Sequence, residues 1–168
     1  MRTIGIDPGN SGALVILSEK EDTVFLDMPV MEVSTGKLPN VAEIIRFIDD
    51  NCIGDNDVVF LEKPAKRPTF MGGKKVSNVQ ANYLAGYYAA MFCVLFRLKG
   101  VKYQEVTAQA WQKVFSISSK QGDTGDQSYL IASKLYPKAE LTGKRGGKKD
   151  GRSDALLIAT FGSRLLKR

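Results

Sequence analysis

The sequence contains no histidine, and that absence removes a large block of chemistry. It excludes Ser-His-Asp and Cys-His nucleophile pairs, an imidazole general base, and His-ligated zinc or haem. Cysteine is scarce as well. Cys52 and Cys93 form neither a CxxC nor a metal-ligand spacing, and both stand in apolar surroundings, so they read as reduced packing residues of a cytoplasmic protein. No apolar run reaches the roughly 20 residues that a bilayer span requires. The longest, Tyr83 to Phe96, has fourteen residues including Gly86, and it reads as a buried helix of a protein that meets no membrane. Met1 to Ile6 passes straight into a strand pattern with no signal-peptide h-region, and no internal repeat is present. Any catalysis must therefore use carboxylates, lysines, hydroxyls or a metal held by oxygen.

What remains is a chain of 168 residues, 43% hydrophobic and 25% charged, long enough to bury a sizeable core as one domain over 1–168. Its 24 Lys+Arg and 18 Asp+Glu give a net charge of +6, unevenly spread. Residues 1–60 carry four basic and eleven acidic side chains, a balance of −7, and residues 61–168 carry twenty and seven, a balance of +13. A basic excess confined to part of one domain points to a positive face that meets a polyanion.

Patterning predicts strands over 3–7, 12–18 and 22–27, with Pro8-Gly9-Asn10-Ser11 as the turn of a hairpin. Met31 to Pro39 reads as loop. A helix follows over 41–52, with Val41, Ile44, Ile45 and Ile48 at core spacing. Val58 to Glu62 is an unbroken apolar strand of the kind covered on both faces. Lys63 to Lys75 reads as a basic loop and Val76 to Leu98 as a long central helix. A strand near 102–106 precedes helices over 107–115, 123–136 and 149–166. This order implies an α/β fold with a mixed five-stranded sheet and helices on both faces.

Four carboxylates stand out. Asp7 and Glu62 each close a strand, where ligand crevices of open α/β sheets lie. A solvated strand-end residue is the plain alternative for Glu62. In the last helix Asp150, Asp154, Leu157, Ile158, Phe161 and Leu165 form one stripe, and the last four read as core-facing. The two aspartates therefore extend the buried stripe, while Ala155, Ala159 and Gly162 form a small-residue stripe for close approach to the sheet. Capping by Asp150 alone is the plainer account, and it leaves Asp154 unexplained. Converging carboxylates without histidine suit a hard divalent cation, Mg²⁺ first. Two such ions roughly 3.5–4 Å apart would activate a water and stabilise the leaving oxygen of a phosphodiester.

Together, Ile4-Gly5-Ile6-Asp7-Pro8-Gly9, Val58-Val59-Phe60-Leu61-Glu62-Lys63-Pro64 and Asp150-Gly151-Arg152-Ser153-Asp154-Ala155-Leu156-Leu157-Ile158-Ala159 resemble the RuvC-type Holliday junction resolvases, notably phage-type members. The resemblance covers nearly the whole chain in order. It implies an RNase H-like three-layer fold, a homodimer, and Mg²⁺-dependent paired nicking of branched DNA, with Mn²⁺ as a substitute ion. It makes Asp7, Glu62, Asp150 and Asp154 the metal-binding catalytic acids. For a phage-encoded protein the location is the host cytoplasm. The bacterial housekeeping form usually sets its last two acids one residue closer than Asp150 and Asp154, although both spacings keep one helix face.

Basic residues flank these motifs in three groups: Lys63, Lys66, Arg67, Lys74 and Lys75; Lys144, Arg145, Lys148, Lys149 and Arg152; and Lys113 with Lys120. Such residues give affinity for phosphates without sequence readout, and a solvated charged loop is the alternative for each. Lys113, in Ala110-Trp111-Gln112-Lys113, is similar to the family lysine that approaches the scissile phosphate. Gly125 stands where phage-type relatives often carry lysine. Phe70, beside Met71 in the basic loop, could stack at a junction as an apolar wedge or tuck onto the domain surface. A non-catalytic branched-DNA-binding protein and an RNase H-type nuclease on RNA–DNA hybrids are the competing readings. A sugar-kinase or actin-like fragment would need a second domain and a nucleotide cleft that this length does not provide.

Overall fold

The computed structural model describes residues 1–18, 22–34, 36–64, 70–71, 74–75, 79–143 and 145–167, with 70–71, 74–75 and 79–82 described by their backbone alone. The chain opens with strands β1 (Thr3–Asp7), β2 (Ala13–Leu17), β3 (Val24–Asp27), β4 (Val30–Val33) and β5 (Gly36–Pro39), then helix α1 (Val41–Asp50). Strands β6 (Val58–Lys63), β7 (Phe70–Met71) and β8 (Lys74–Lys75) precede helix α2 (Val79–Leu98). Strand β9 (Lys102–Thr107) leads into α3 (Ala108–Val114), a 3₁₀ turn at Ser119–Gln121, α4 (Thr124–Leu135) and α5 (Asp150–Leu166).

The main sheet has the order β3-β2-β1-β6-β9. β1, β2 and β3 pair antiparallel, while β6 and β9 run parallel to β1. Alternation along the strands divides the core in two. Ile4, Ile6, Leu14, Ile16, Val59 and Leu61 bury against Ile44 and Ile48 of α1 and Tyr88, Phe92 and Phe96 of α2. Ala13, Val15, Phe60 and Val106 bury on the opposite side, against Trp111 of α3, Ala132 of α4 and Leu156, Leu157 and Phe161 of α5. The mixed five-stranded sheet with helices on both faces is thus the architecture the patterning predicts.

Several local expectations change. Met31–Pro39 is not all loop, because β4 and β5 pair as a separate hairpin, and β7 pairs with β8 inside the expected basic loop. Both hairpins are short and lack sustained apolar alternation, so neither announces itself in the pattern. α2 is not buried all round: Tyr88, Phe92 and Phe96 are fully covered, whereas Tyr83, Tyr87, Val94 and Leu98 are exposed. Its expected first turn at 76–78 lies outside the described residues. Leu165, expected in the core, is 36% exposed, because α5 runs past the sheet there. Cys52 is no packing residue; it is exposed at the exit of α1 with a φ of 49°. Among the described residues no helix is long and apolar enough to cross a membrane.

Candidate active site

Pleat and register place the first two acids. Ile6 of β1 stands opposite Leu61 of the parallel strand β6, so the next residues, Asp7 and Glu62, come side by side at the carboxyl ends of two central strands. Ile6 and Leu61 bury toward α1 and α2. Alternation therefore turns Asp7 and Glu62 to the other face, which α5 covers.

Helix α5 reaches that face only because side chains are missing. A Cβ on Gly5 would stand 2.0 Å from the Ala155 carbonyl oxygen and 2.5 Å from the Ala159 nitrogen. A Cβ on Gly151 would stand 2.2 Å from the Ser11 carbonyl oxygen. The first seats α5 on β1, as the small-residue stripe predicts, and the second seats its opening turn on the loop that follows Asp7. Asp154 is thereby brought to Asp7 and Glu62.

The electrostatics show the result. Burial holds the Asp7 carboxyl well above its ordinary value, and the charges of Glu62 and Asp154 push it further. Burial likewise raises Glu62, against the opposing effect of a hydrogen bond from Trp111. Asp154 is pushed up to about 7, by burial first and then by Glu62, Asp150 and Asp123, with Ser128 pulling the other way. Ser128 acts there through proximity rather than a closed hydrogen bond, because Ser128 Oγ and Asp154 Oδ1 are both buried with no hydrogen-bond partner among the described residues. An ionised carboxylate with an orphaned buried oxygen calls for a cation. The donor set is all oxygen, which fits a hard divalent ion. Among the described residues no group of three or more such side chains is already gathered into metal-holding geometry. The acids stand within mutual electrostatic reach and are not closed around a point.

Asp150 occupies a different position from the other three. It is exposed at the start of α5, and its neighbour is Asp123: a Cβ on Gly125 would lie 3.3 Å from Asp150 Oδ2 and 3.2 Å from Asp123 Oδ1. Asp123 also caps α4, accepting from the Asp126 amide at 3.0 Å. The inner group is therefore Asp7, Glu62 and Asp154, with Asp150 and Asp123 at its rim.

The basic residues are largely spoken for. Lys63 pairs with Glu105 at 2.9 Å. Lys148 pairs with Asp126 and lies over the Tyr129 ring. Asp27 takes Lys149 at 3.2 Å and both arms of Arg152, at 2.6 and 3.2 Å. Arg152 also donates to the Glu140 carbonyl at 2.7 Å and covers the Phe25 ring, so its contacts are structural. Burial works to raise the Asp27 carboxyl, but Arg152 and Lys149 hold it below its ordinary value. Lys113, Lys120 and Arg145 are exposed. Lys113 lies two residues beyond the inward-facing Trp111, hence on another face of α3. Phe70 lies in β7, and Lys74 and Lys75 form β8. Lys66, Arg67 and Lys144 lie outside the described residues. A cleft of about 870 Å³ beside β3 and the α4–α5 connection contains none of the four acids.

Sequence reasoning missed Trp111, Ser128, Asp123 and Asp27. The first three are joined to the acids across the fold, whereas Asp27 acts on Lys149 and Arg152. The local signals were Asp123 as a helix start and Trp111 as the neighbour of Lys113 in a family-like segment.

The fold is a three-layer α/β arrangement of the RNase H-like type, and it sets carboxylates at the ends of its central parallel strands. No protein-family model matches the sequence, and no curated protein matches it. Among solved structures the fold is similar to Thermus thermophilus RuvC in complex with a Holliday junction substrate, at a TM-score of 0.58 and 13% identity, covering 98% of this chain and 96% of that one. A second Thermus thermophilus RuvC structure gives 0.57 and 15% over the same shares.

Proposed function

We propose that this protein is a structure-selective endonuclease that resolves Holliday junctions and related branched DNA by Mg²⁺-dependent paired nicks. The observation that carries the reading is the inner group of Asp7, Glu62 and Asp154, set on a fold whose solved counterpart is bound to a Holliday junction. Asp7, Glu62, Asp154 and Asp150 would hold the metal, with Mn²⁺ as an alternative ion. When bound, the metal supplies an activated water and charge stabilisation for the leaving oxygen. The chain's own part is to hold carboxylate oxygens fixed on two strand ends and one helix, and to present exposed cations such as Lys113, Lys120 and Arg145 to phosphates. On the sequence alone we assign Lys66, Arg67, Lys74, Lys75 and Lys144 to further phosphate contacts and Phe70 to a wedge, with Lys63 joining them where it exchanges Glu105 for a phosphate. We further place the chain, on its sequence motifs, with phage-type members acting as one nuclease domain in the cytoplasm. We pair two copies of it through the exposed stripe of α2.

The test is cleavage of four-way, forked, linear and RNA–DNA hybrid substrates side by side, with and without Mg²⁺. The four-way junction should be cut in opposed strands only with metal, and Asp7→Asn and Glu62→Gln should bind it without cutting. Equal cutting of linear duplex would remove junction selectivity, and preferred cutting of the hybrid would make the protein an RNase H-type enzyme. A non-catalytic junction binder is the second reading, favoured by the exposed place of Asp150 at the start of α5, apart from the inner three acids. It predicts metal-independent binding and no cleavage of any substrate.

A further inference from the structure

Trp111 is the single tryptophan of the chain and is completely buried. Its position follows from strand register. In β9, Val106 stands opposite Glu62 and Thr107 opposite Lys63. Thr107 is also the N-cap of α3, accepting from the Ala110 amide. The chain therefore turns into α3 beside the end of β6, and one turn later the indole N–H meets the Glu62 carboxylate. Trp111 Nε1–H donates to Glu62 Oε2 at 2.7 Å, across 49 residues of sequence.

Burying an indole requires only some acceptor for its one donor. Here the acceptor is a residue of the candidate site, and the donor is neutral. A lysine or arginine at this place would also orient Glu62, but its charge would offset the carboxylate and repel an incoming cation. A hydroxyl could rotate away. The indole ring can do neither, because it is fixed in the core with Phe60, Phe115 and Leu156.

We propose that Trp111 is a positioning residue for Glu62: its indole N–H commits Oε2 to one direction and leaves Oε1 as the ligand oxygen, which sets the affinity of the site for a divalent cation. The proposal rests on the nuclease reading above and deepens it, since outer partners of ligating carboxylates orient them and tune the metal. A tryptophan present only for packing would influence stability alone.

The test is Mn²⁺ binding by the whole protein without DNA, followed through the electron paramagnetic resonance signal of free Mn²⁺. Three forms are compared: wild type, Trp111→Phe, and protein in which tryptophan is replaced during biosynthesis by β-(3-benzothienyl)alanine. The analogue exchanges N–H for sulfur and keeps the ring, so it separates the hydrogen bond from packing even where Trp111→Phe folds poorly. Both altered forms should bind Mn²⁺ roughly 10-fold to 100-fold more weakly than wild type. In metal-free wild type the single indole ¹H–¹⁵N signal should move on Glu62→Ala. Wild-type affinity in the benzothienyl protein, or an indole signal indifferent to Glu62→Ala, would overturn the positioning role and leave the nuclease reading standing. A wild type that binds no Mn²⁺, with Glu62→Gln still cutting junctions, would overturn the metal site itself and the proposal with it.

Discussion

Carboxylates in this chain occupy opposite electrostatic conditions, some held below their ordinary values and some well above them. Asp57 is 3% exposed and receives both arms of Arg2, at 2.7 and 3.0 Å, and the Gly54 amide at 3.1 Å. Burial alone would raise its carboxyl, but these donors hold it below the ordinary value. A depressed acid adds stability above its unfolded value, near pH 4, and that stability is lost as pH falls through the folded value. Arg2→Ala should cost roughly 1.5–3 kcal/mol at neutral pH, measured by urea unfolding, and the gap should narrow at acid pH as Asp57 protonates. Asp7, Glu62 and Asp154 are raised instead, Asp154 to about 7. The folded protein then holds protons more tightly than the unfolded chain, so stability falls as pH rises from about 4 through the folded values. In metal-free buffer at about pH 8, Asp154→Asn should unfold later than wild type by at least about 1 kcal/mol. The advantage should shrink toward acid pH, and the variant should no longer cut. The acids titrate as a group, so the curve belongs to all three.

At the scale of elements, α5 does most to build the site, and its contact with β1 has no room to spare. The Ala155 carbonyl and Ala159 amide that a Gly5 side chain would strike are backbone atoms of a buried helix, and they cannot rotate aside. Gly5→Ala should therefore destabilise by about 1–3 kcal/mol or more and reduce cleavage as well, because the displaced helix carries Asp154. A variant with wild-type thermal stability would show that the helix shifts freely. This element was legible in the sequence: the stripe from Asp150 to Phe161 and the small residues beside it give both the buried face and the close approach. Asp7 and Glu62 were legible for a similar reason, since each ends an apolar strand and parallel pairing does the rest. The exposed side of α2 was not legible, because hydropathy reports how apolar a helix is and not which face the sheet covers. The Trp111–Glu62 and Asp27–Arg152 contacts were hidden because they join residues 49 and 125 positions apart, and spacing rules reach only along one element.

Over the whole molecule, the charge balance and the open face of α2 are the features on which the proposed DNA binding and self-association depend. The +13 of residues 61–168 overstates the charge available to phosphates, since Lys63, Lys148, Lys149 and Arg152 already have acidic partners. Replacing exposed Lys120 or Arg145 by alanine should lower the slope of log affinity against log salt by about 1 for each phosphate that the side chain neutralises. Arg152→Ala should instead reduce thermal stability, with Asp27 deprived of its two-armed partner, and change the slope less. On α2, Tyr83, Tyr87, Val94 and Leu98 are 72, 47, 59 and 81% exposed, and their spacing of four, seven and four puts them on one helical stripe. An apolar stripe of this length left in water favours association, and a two-fold pairing of identical stripes would cover both copies at once. It would also bring two candidate sites into one particle, as the proposed paired nicks on opposed strands require. Val94→Asp places a charge in the middle of the stripe without touching the buried side that holds Phe92 and Phe96. Light scattering should then report a monomer for the variant where wild type is a dimer. On a four-way junction the variant should make single nicks in place of paired ones. A wild type that is monomeric at micromolar concentration, yet still cuts both strands together, would remove the α2 pairing and leave the carboxylate site untouched.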